Sequence, residues 1–93
     1  MKLTGKCFDE FEAQNKGRGY FALLPESCQN ALIIEFFDSV GIYVELLYFI
    51  DGNYFVSIVY HNDGHNHIGD FDNRTQATNE AIIKANDLYN ENN

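Results

Sequence analysis

The sequence predicts an α+β domain in which a three-stranded antiparallel sheet, a hairpin plus a short third strand, lies between an N-terminal-half helix and a capped C-terminal helix, in the order α-β-β-β-α. Three observations carry this. Two runs rich in β-branched and aromatic residues, Ile42 to Ile50 and Tyr54 to Tyr60, flank Asp51-Gly52, a pair suited to the positive φ of a tight hairpin turn. A mostly apolar stretch opens at Leu24-Pro25-Glu26-Ser27 and closes at Gly41, as a helix does. Asn73 with Gln76 three residues on has capping-box spacing, and after it Ala77, Ala81, Ile82, Ala85, Leu88 and Tyr89 share one helical face.

The N-terminal segment has the least pattern. Phe8, Phe11 and Ala13 among Asp9, Glu10 and Glu12 fit a short helix, and Lys16-Gly17-Arg18-Gly19 reads as a break, so residues 1–23 either pack loosely or wrap the body. In the next helix Glu26 complements the positive end of the dipole. Cys28, Ala31, Leu32, Ile33, Ile34, Phe36, Phe37 and Val40 cover most of its circumference, leaving Gln29, Asn30, Glu35 and Asp38 as a narrow wet edge. Such a helix is expected to be buried on two sides.

A two-residue turn at Asp51-Gly52 places Tyr48 opposite Phe55, Leu46 opposite Ser57 and Val44 opposite Val59 on one face. The other face then pairs Phe49 with Tyr54, Leu47 with Val56 and Glu45 with Ile58. Both faces are apolar, so the sheet is expected to be covered on both sides, by its own helices or by a second subunit. His61 to Asn66 form a polar loop, His67 to Phe71 a short third strand, and Asn90 to Asn93 a fraying tail. Residues 1–93 read as one domain with its α-β-β-β-α core at 24–91; no repeat, linker or low-complexity tract divides it.

With 93 residues there is room for one core, yet 45% of the chain is apolar and 15% aromatic, more than a core of that size needs. The surplus points to an interface. A net charge of −8 repels phosphate backbones, which argues against direct nucleic-acid binding and allows contact with a basic protein surface. No apolar run resembles a leader or a membrane span, so a cytoplasmic protein is expected. Cys7 and Cys28 have neither zinc nor redox spacing and read as ordinary thiols, Cys28 packed on its helix.

The stretches Leu24 to Gln29, Phe36 to Gly41, Phe71 to Ala77 and Ala81 to Glu91 resemble a set of small uncharacterised phage and prophage proteins of anaerobic gut bacteria, akin to phage α-β-β-β-α sandwich families. The likeness covers roughly two thirds of the chain, from about Leu24 to Glu91. In those proteins Thr usually stands at the position of Asn73 and Glu at that of Gln76, which keeps the capping logic with other atoms. The resemblance implies a mobile-element origin and this fold, and it transfers no catalytic residue.

Chemistry has few places to sit. His61, Asp63, His65 and His67 are metal-ligand types within seven residues, yet the same residues suit a solvated turn, and closing a tetrahedron would need a group from elsewhere. Glu35, Asp38 and Glu45 are the carboxylates inside apolar segments, and Ser27, Ser39 and Ser57 have no histidine beside them in sequence. The Gly17-Arg18-Gly19 triplet reads as a loop. The hairpin aromatics Tyr43, Tyr48, Phe49, Tyr54, Phe55 and Tyr60 serve either the domain's own core or an interface. The expected function is therefore a non-enzymatic protein-interaction module without a cofactor, binding a protein partner or itself. The alternative is a small metal-dependent enzyme or ligand-binding protein using His61 to His67.

Overall fold

The computed structural model describes residues 2–15, 21–49, 52–60 and 65–93, and at positions 65 and 66 the backbone alone. Three helices and three strands follow one another as α1 (Gly5–Gln14), a single 3-10 turn (Phe21–Leu23), α2 (Glu26–Ser39), β1 (Ile42–Tyr48), β2 (Tyr54–Tyr60), β3 (His65–Phe71) and α3 (Arg74–Asn92). The strands form an open antiparallel sheet in the order β1-β2-β3. The expected α-β-β-β-α order is present, with α1 added before it.

Local chemistry explains most boundaries. Asn73 caps α3 by accepting from the Gln76 N–H at 2.8 Å. At the other end α3 does not stop at Asn90: it runs to Asn92, and the Asn92 and Asn93 amides donate to the carbonyls of Leu88 and Tyr89. These side-chain amides bond carbonyls of the last helical turns, and the helix takes in most of the tail expected to follow it. In α2 the Gln29 amide donates to the carbonyls of Phe21 and Leu24, which joins the 3-10 turn to the helix start.

The hairpin register differs from the expected one by one residue. Phe49 N–H donates to Asn53 O and Gly52 N–H to Phe49 O, both at 3.0 Å, so three residues rather than two separate the last paired positions. Gly52 has φ 92, the left-handed position that ends such a loop and that other residues enter only with strain. Of the expected turn pair, Asp51 lies outside the described residues. Val44 therefore faces Ile58, Leu46 faces Val56 and Tyr48 faces Tyr54, while Tyr43 faces Val59, Glu45 faces Ser57 and Leu47 faces Phe55. A one-residue slip reassigns every side chain on one strand to the other face.

β3 begins at His65, two residues before the expected start, and pairs with β2 through a bulge: Val56 faces Gly69 and Ser57 faces His67, which leaves Ile68 extra. The bulge lets Ile68 pack inward with the core.

All three helices lie on one side of the sheet. Ile42, Val56 and Ile58 meet Ile33, Phe36 and Phe37 of α2 and Ala77, Ala81, Ile82 and Ala85 of α3, all buried. The alanines of α3 let its axis lie close to β2. On α2 the apolar circumference is not fully used: Cys28 and Ala31 are exposed, and Asn30, expected on the wet edge, is buried instead. Asn30 is buried because Lys2 donates to its side-chain oxygen at 2.6 Å while also reaching Glu26 and Asn79.

The segment of weakest sequence pattern is docked, not loose. Leu3, Cys7 and Phe11 are buried in the main cluster, and Phe11 packs edge-on against Phe21 and Phe36. A stripe of asparagines on α3 fixes it. Asn86 accepts from Thr4 N–H at 2.9 Å and donates to Thr4 Oγ1 at 3.0 Å; Asn90 accepts from Cys7 N–H and donates to Thr4 O. Gly5, with φ 59, lies against Asn90, whose Oδ1 would be 3.2 Å from an added Cβ.

Two stability measurements follow from this packing. Phe37→Ala should lower the unfolding free energy in urea by about 3–5 kcal/mol, whereas Leu47→Ser on the uncovered face should change it by no more than about 0.5 kcal/mol. Asn86→Ala should cost about 0.5–1.5 kcal/mol for each of the two hydrogen bonds it removes from Thr4, whose own groups are exposed to water.

Candidate interaction surface

Parity along the strands sorts the hairpin aromatics. The helix-facing set contains Tyr48, Tyr54 and Tyr60; the outward set contains Tyr43, Phe49 and Phe55. Tyr60 is half-buried against the main cluster. Tyr54 is half-buried near α3, with the Arg74 guanidinium 5.5 Å from its ring centre and the Tyr48 ring at 5.0 Å. Tyr48 itself is 60% exposed at the hairpin end.

No helix among the described residues covers the outward face. Tyr43 is 46% exposed, Leu47 48% and Phe49 46%, and beside them Phe55 and Val59 are half-buried. Phe49 packs edge-on with Phe55 at 5.6 Å, and Phe55 stacks on the His67 ring at 4.2 Å with 7° between planes. Of the two coverings expected, helices of this chain or a second subunit, the first is not found on this face among the described residues: the main cluster unites α1, α2 and α3 on the other side. Leu47 and Val59 belong to this surface and were not singled out from sequence. The reassigned register joins them to Phe55 and Tyr43.

β1 is an edge strand. Phe49 and Asn53 form a hydrogen-bonded pair, so by the alternation of an antiparallel ladder Tyr43, Glu45 and Leu47 bond to β2. Val44, Leu46 and Tyr48 therefore point their N–H and C=O groups away from β2. Among the described residues nothing pairs with them.

The histidine-bearing loop is only partly described. His61 and Asp63 lie outside the described residues, and His65 is placed by its backbone at the start of β3. His67 is exposed on the outward face, with Nε2 3.3 Å from Asp70 Oδ1. Among the described residues no three metal-ligand types come together.

The sheet does bring one histidine to a serine. Ser57 faces His67, and His67 contacts Asp70, an order of residue types reminiscent of acyl-transfer enzymes. The geometry does not work as one: no hydrogen bond joins Ser57 to His67 among the described residues, and Ser57 is 2% exposed, out of reach of a substrate. Ser39 is engaged with the Phe36 carbonyl, and Ser27 is exposed on α2. Desolvation, then the Glu35 charge, raises the Asp38 carboxyl above its usual range. That pair is an ordinary i, i+3 repulsion on α2 beside an open groove reaching Gln14 and Ser39. Glu45 stands on the outward face opposite Ser57.

The two thiols differ in their surroundings. Cys7 is fully buried and its thiol is pushed up to about 12 by that burial, whereas Cys28 is exposed on α2, not packed as expected. A disulfide reagent should modify one thiol, Cys28, at once and Cys7 only on unfolding. The pH dependence has a definite sign. An unfolded thiol loses its proton near pH 8.5 while folded Cys7 retains it, so stability should fall as pH rises from there to the folded value, at up to about 1.4 kcal/mol per unit. Cys7→Ala should lack this slope in urea titrations from pH 8 to 11.

No helix among the described residues is long and apolar enough to cross a membrane. No protein-family model, no curated protein and no solved structure matches this chain.

Proposed function

We propose that this chain is a non-enzymatic protein-interaction module of phage or prophage type, acting in the cytoplasm through the outward face of its sheet. The observation that carries the reading is the row Tyr43, Leu47 and Phe49, each nearly half exposed on a face with no helix over it among the described residues. Large apolar side chains so placed favour association, because covering them removes apolar surface from water at about 25 cal/mol per Å².

Charge favours a basic partner over a second copy. The three strands contain Glu45 and Asp70 and no Lys or Arg, and the whole chain carries −8. A second copy would bring like charge to like charge, while a basic protein surface gains from the approach and reaches it faster. The same field disfavours direct contact with nucleic acid. An oligomeric state of two remains the competing occupant and is read out in the same experiment.

A photo-crosslinking residue at position 47, introduced in producing cells, should give adducts with a basic protein, and the same residue at position 83 on α3, equally exposed, should give none. Adducts of the chain with itself would make the occupant a second copy. Equal yields at both positions, or none at 47, would remove the outward face as the contact surface.

A further inference from the structure

We infer that the open edge of β1 receives an added antiparallel strand from the partner, one whose side chains alternate so that a basic residue faces Glu45 between two apolar residues facing Tyr43 and Leu47. This rests on the protein-contact reading above and specifies how the contact is made.

The edge has the features that strand addition needs. Val44, Leu46 and Tyr48 direct backbone groups that have no partner among the described residues away from β2 over most of a seven-residue strand. Natural edges are usually blunted by Lys, Pro or a bulge. β1 has no Lys, Pro or bulge and a single charge, Glu45, being Ile-Tyr-Val-Glu-Leu-Leu-Tyr in regular register throughout, whereas the opposite edge, β3, carries a bulge at Ile68 and a glycine at position 69. Main-chain bonds would give affinity, and alternate side chains would give selectivity.

The occupant follows from Glu45 at the centre of β1. If two copies paired their β1 strands with full overlap, residue 42 would meet 48, 44 would meet 46, and Glu45 would meet the other copy's Glu45. Because the neighbouring pairs would be the hydrogen-bonded ones, that contact would fall in the close, non-bonded class, with Cα atoms about 4.5 Å apart. Two carboxylates directly opposite destabilise the pairing. A Lys or Arg in the same place reverses the sign. Its neighbours two residues away would then extend over Tyr43 and Leu47, joining the edge to the exposed outward face.

The test uses a display library of random nine-residue peptides selected against the whole chain. Enriched sequences should carry Lys or Arg two residues from apolar residues on both sides, and against Glu45→Lys the enrichment should move to Asp or Glu. In the complex, the amides of Val44, Leu46 and Tyr48 should exchange at least tenfold more slowly. Methylating the backbone nitrogens of an enriched peptide one at a time should weaken binding at least tenfold at alternate positions only. Helical or acidic enriched sequences, protection elsewhere than β1, a methylation pattern without period two, or no enrichment would each overturn the inference. So would concentration-dependent protection of these amides in the chain alone, which would identify a second copy as the occupant. Crosslinking at position 47 without β1 protection would leave the contact surface standing and remove strand addition alone; loss of both would remove the parent reading.

Discussion

A three-stranded sheet has two faces, and the packed helices of this chain reach one of them. Everything else follows from how that side is filled. Val56, Ile58 and Ile42 supply the sheet's contribution, and the small residues Ala77, Ala81 and Ala85 bring α3 close enough for Ile82 to enter the same layer. Each fully buried aliphatic or aromatic side chain contributes about 1.5–3 kcal/mol, which a chain of this size needs in numbers. Close packing fixes the register as well. A β2 that slipped by one would turn Phe55, Ser57 and Val59 inward in place of Val56 and Ile58, bringing a hydroxyl and a larger ring into space shaped for the present side chains, so the hairpin loop takes the length that the core accepts.

The N-terminal segment is the second source of core. Its apolar residues are few, but Leu3, Cys7 and Phe11 fall at helical intervals of four and land between α2 and α3. What orients them is polar: Asn86 and Asn90 of α3 bond to the backbone of Thr4 and Cys7, and Lys2 reaches three acceptors on α2 and α3. Buried amides demand partners, so this arrangement specifies one docking position where apolar contact alone would tolerate several. A raised Cys7 thiol is a by-product of the same burial.

The outward face is the consequence left over. Tyr43, Leu47 and Phe49 remain in contact with solvent because the helices that could have shielded them are engaged on the other side. Phe55 stacked on His67 and Phe49 packed on Phe55 already give this face some internal order, which lowers the entropy lost when a partner settles on it. The neighbouring edge offers directional bonds where the face offers area. Among the described residues the one serine-histidine juxtaposition on this face, Ser57 opposite His67, has its serine shut away from solvent.

The linear sequence by itself determined the class and order of the elements. Asn73 and its cap, the alanine-lined face of α3, the helix between Glu26 and Gly41 and the paired β-rich runs depend on neighbours within a turn or two, and such short-range signals survive in one dimension. It also determined that the apolar content exceeds what one small core absorbs. Tertiary structure decided the rest. Which hairpin aromatics face inward turned on one residue in the loop at Gly52; whether Asn30 is wet or buried turned on Lys2, distant in sequence; and the docking of residues 2–15 turned on asparagines at the far end of the chain. Side-chain period in a strand is two, so a single-residue uncertainty in register inverts inside and outside, and no local pattern resolves it when both faces are apolar. The open face of the sheet became visible only when the helices had chosen the other one.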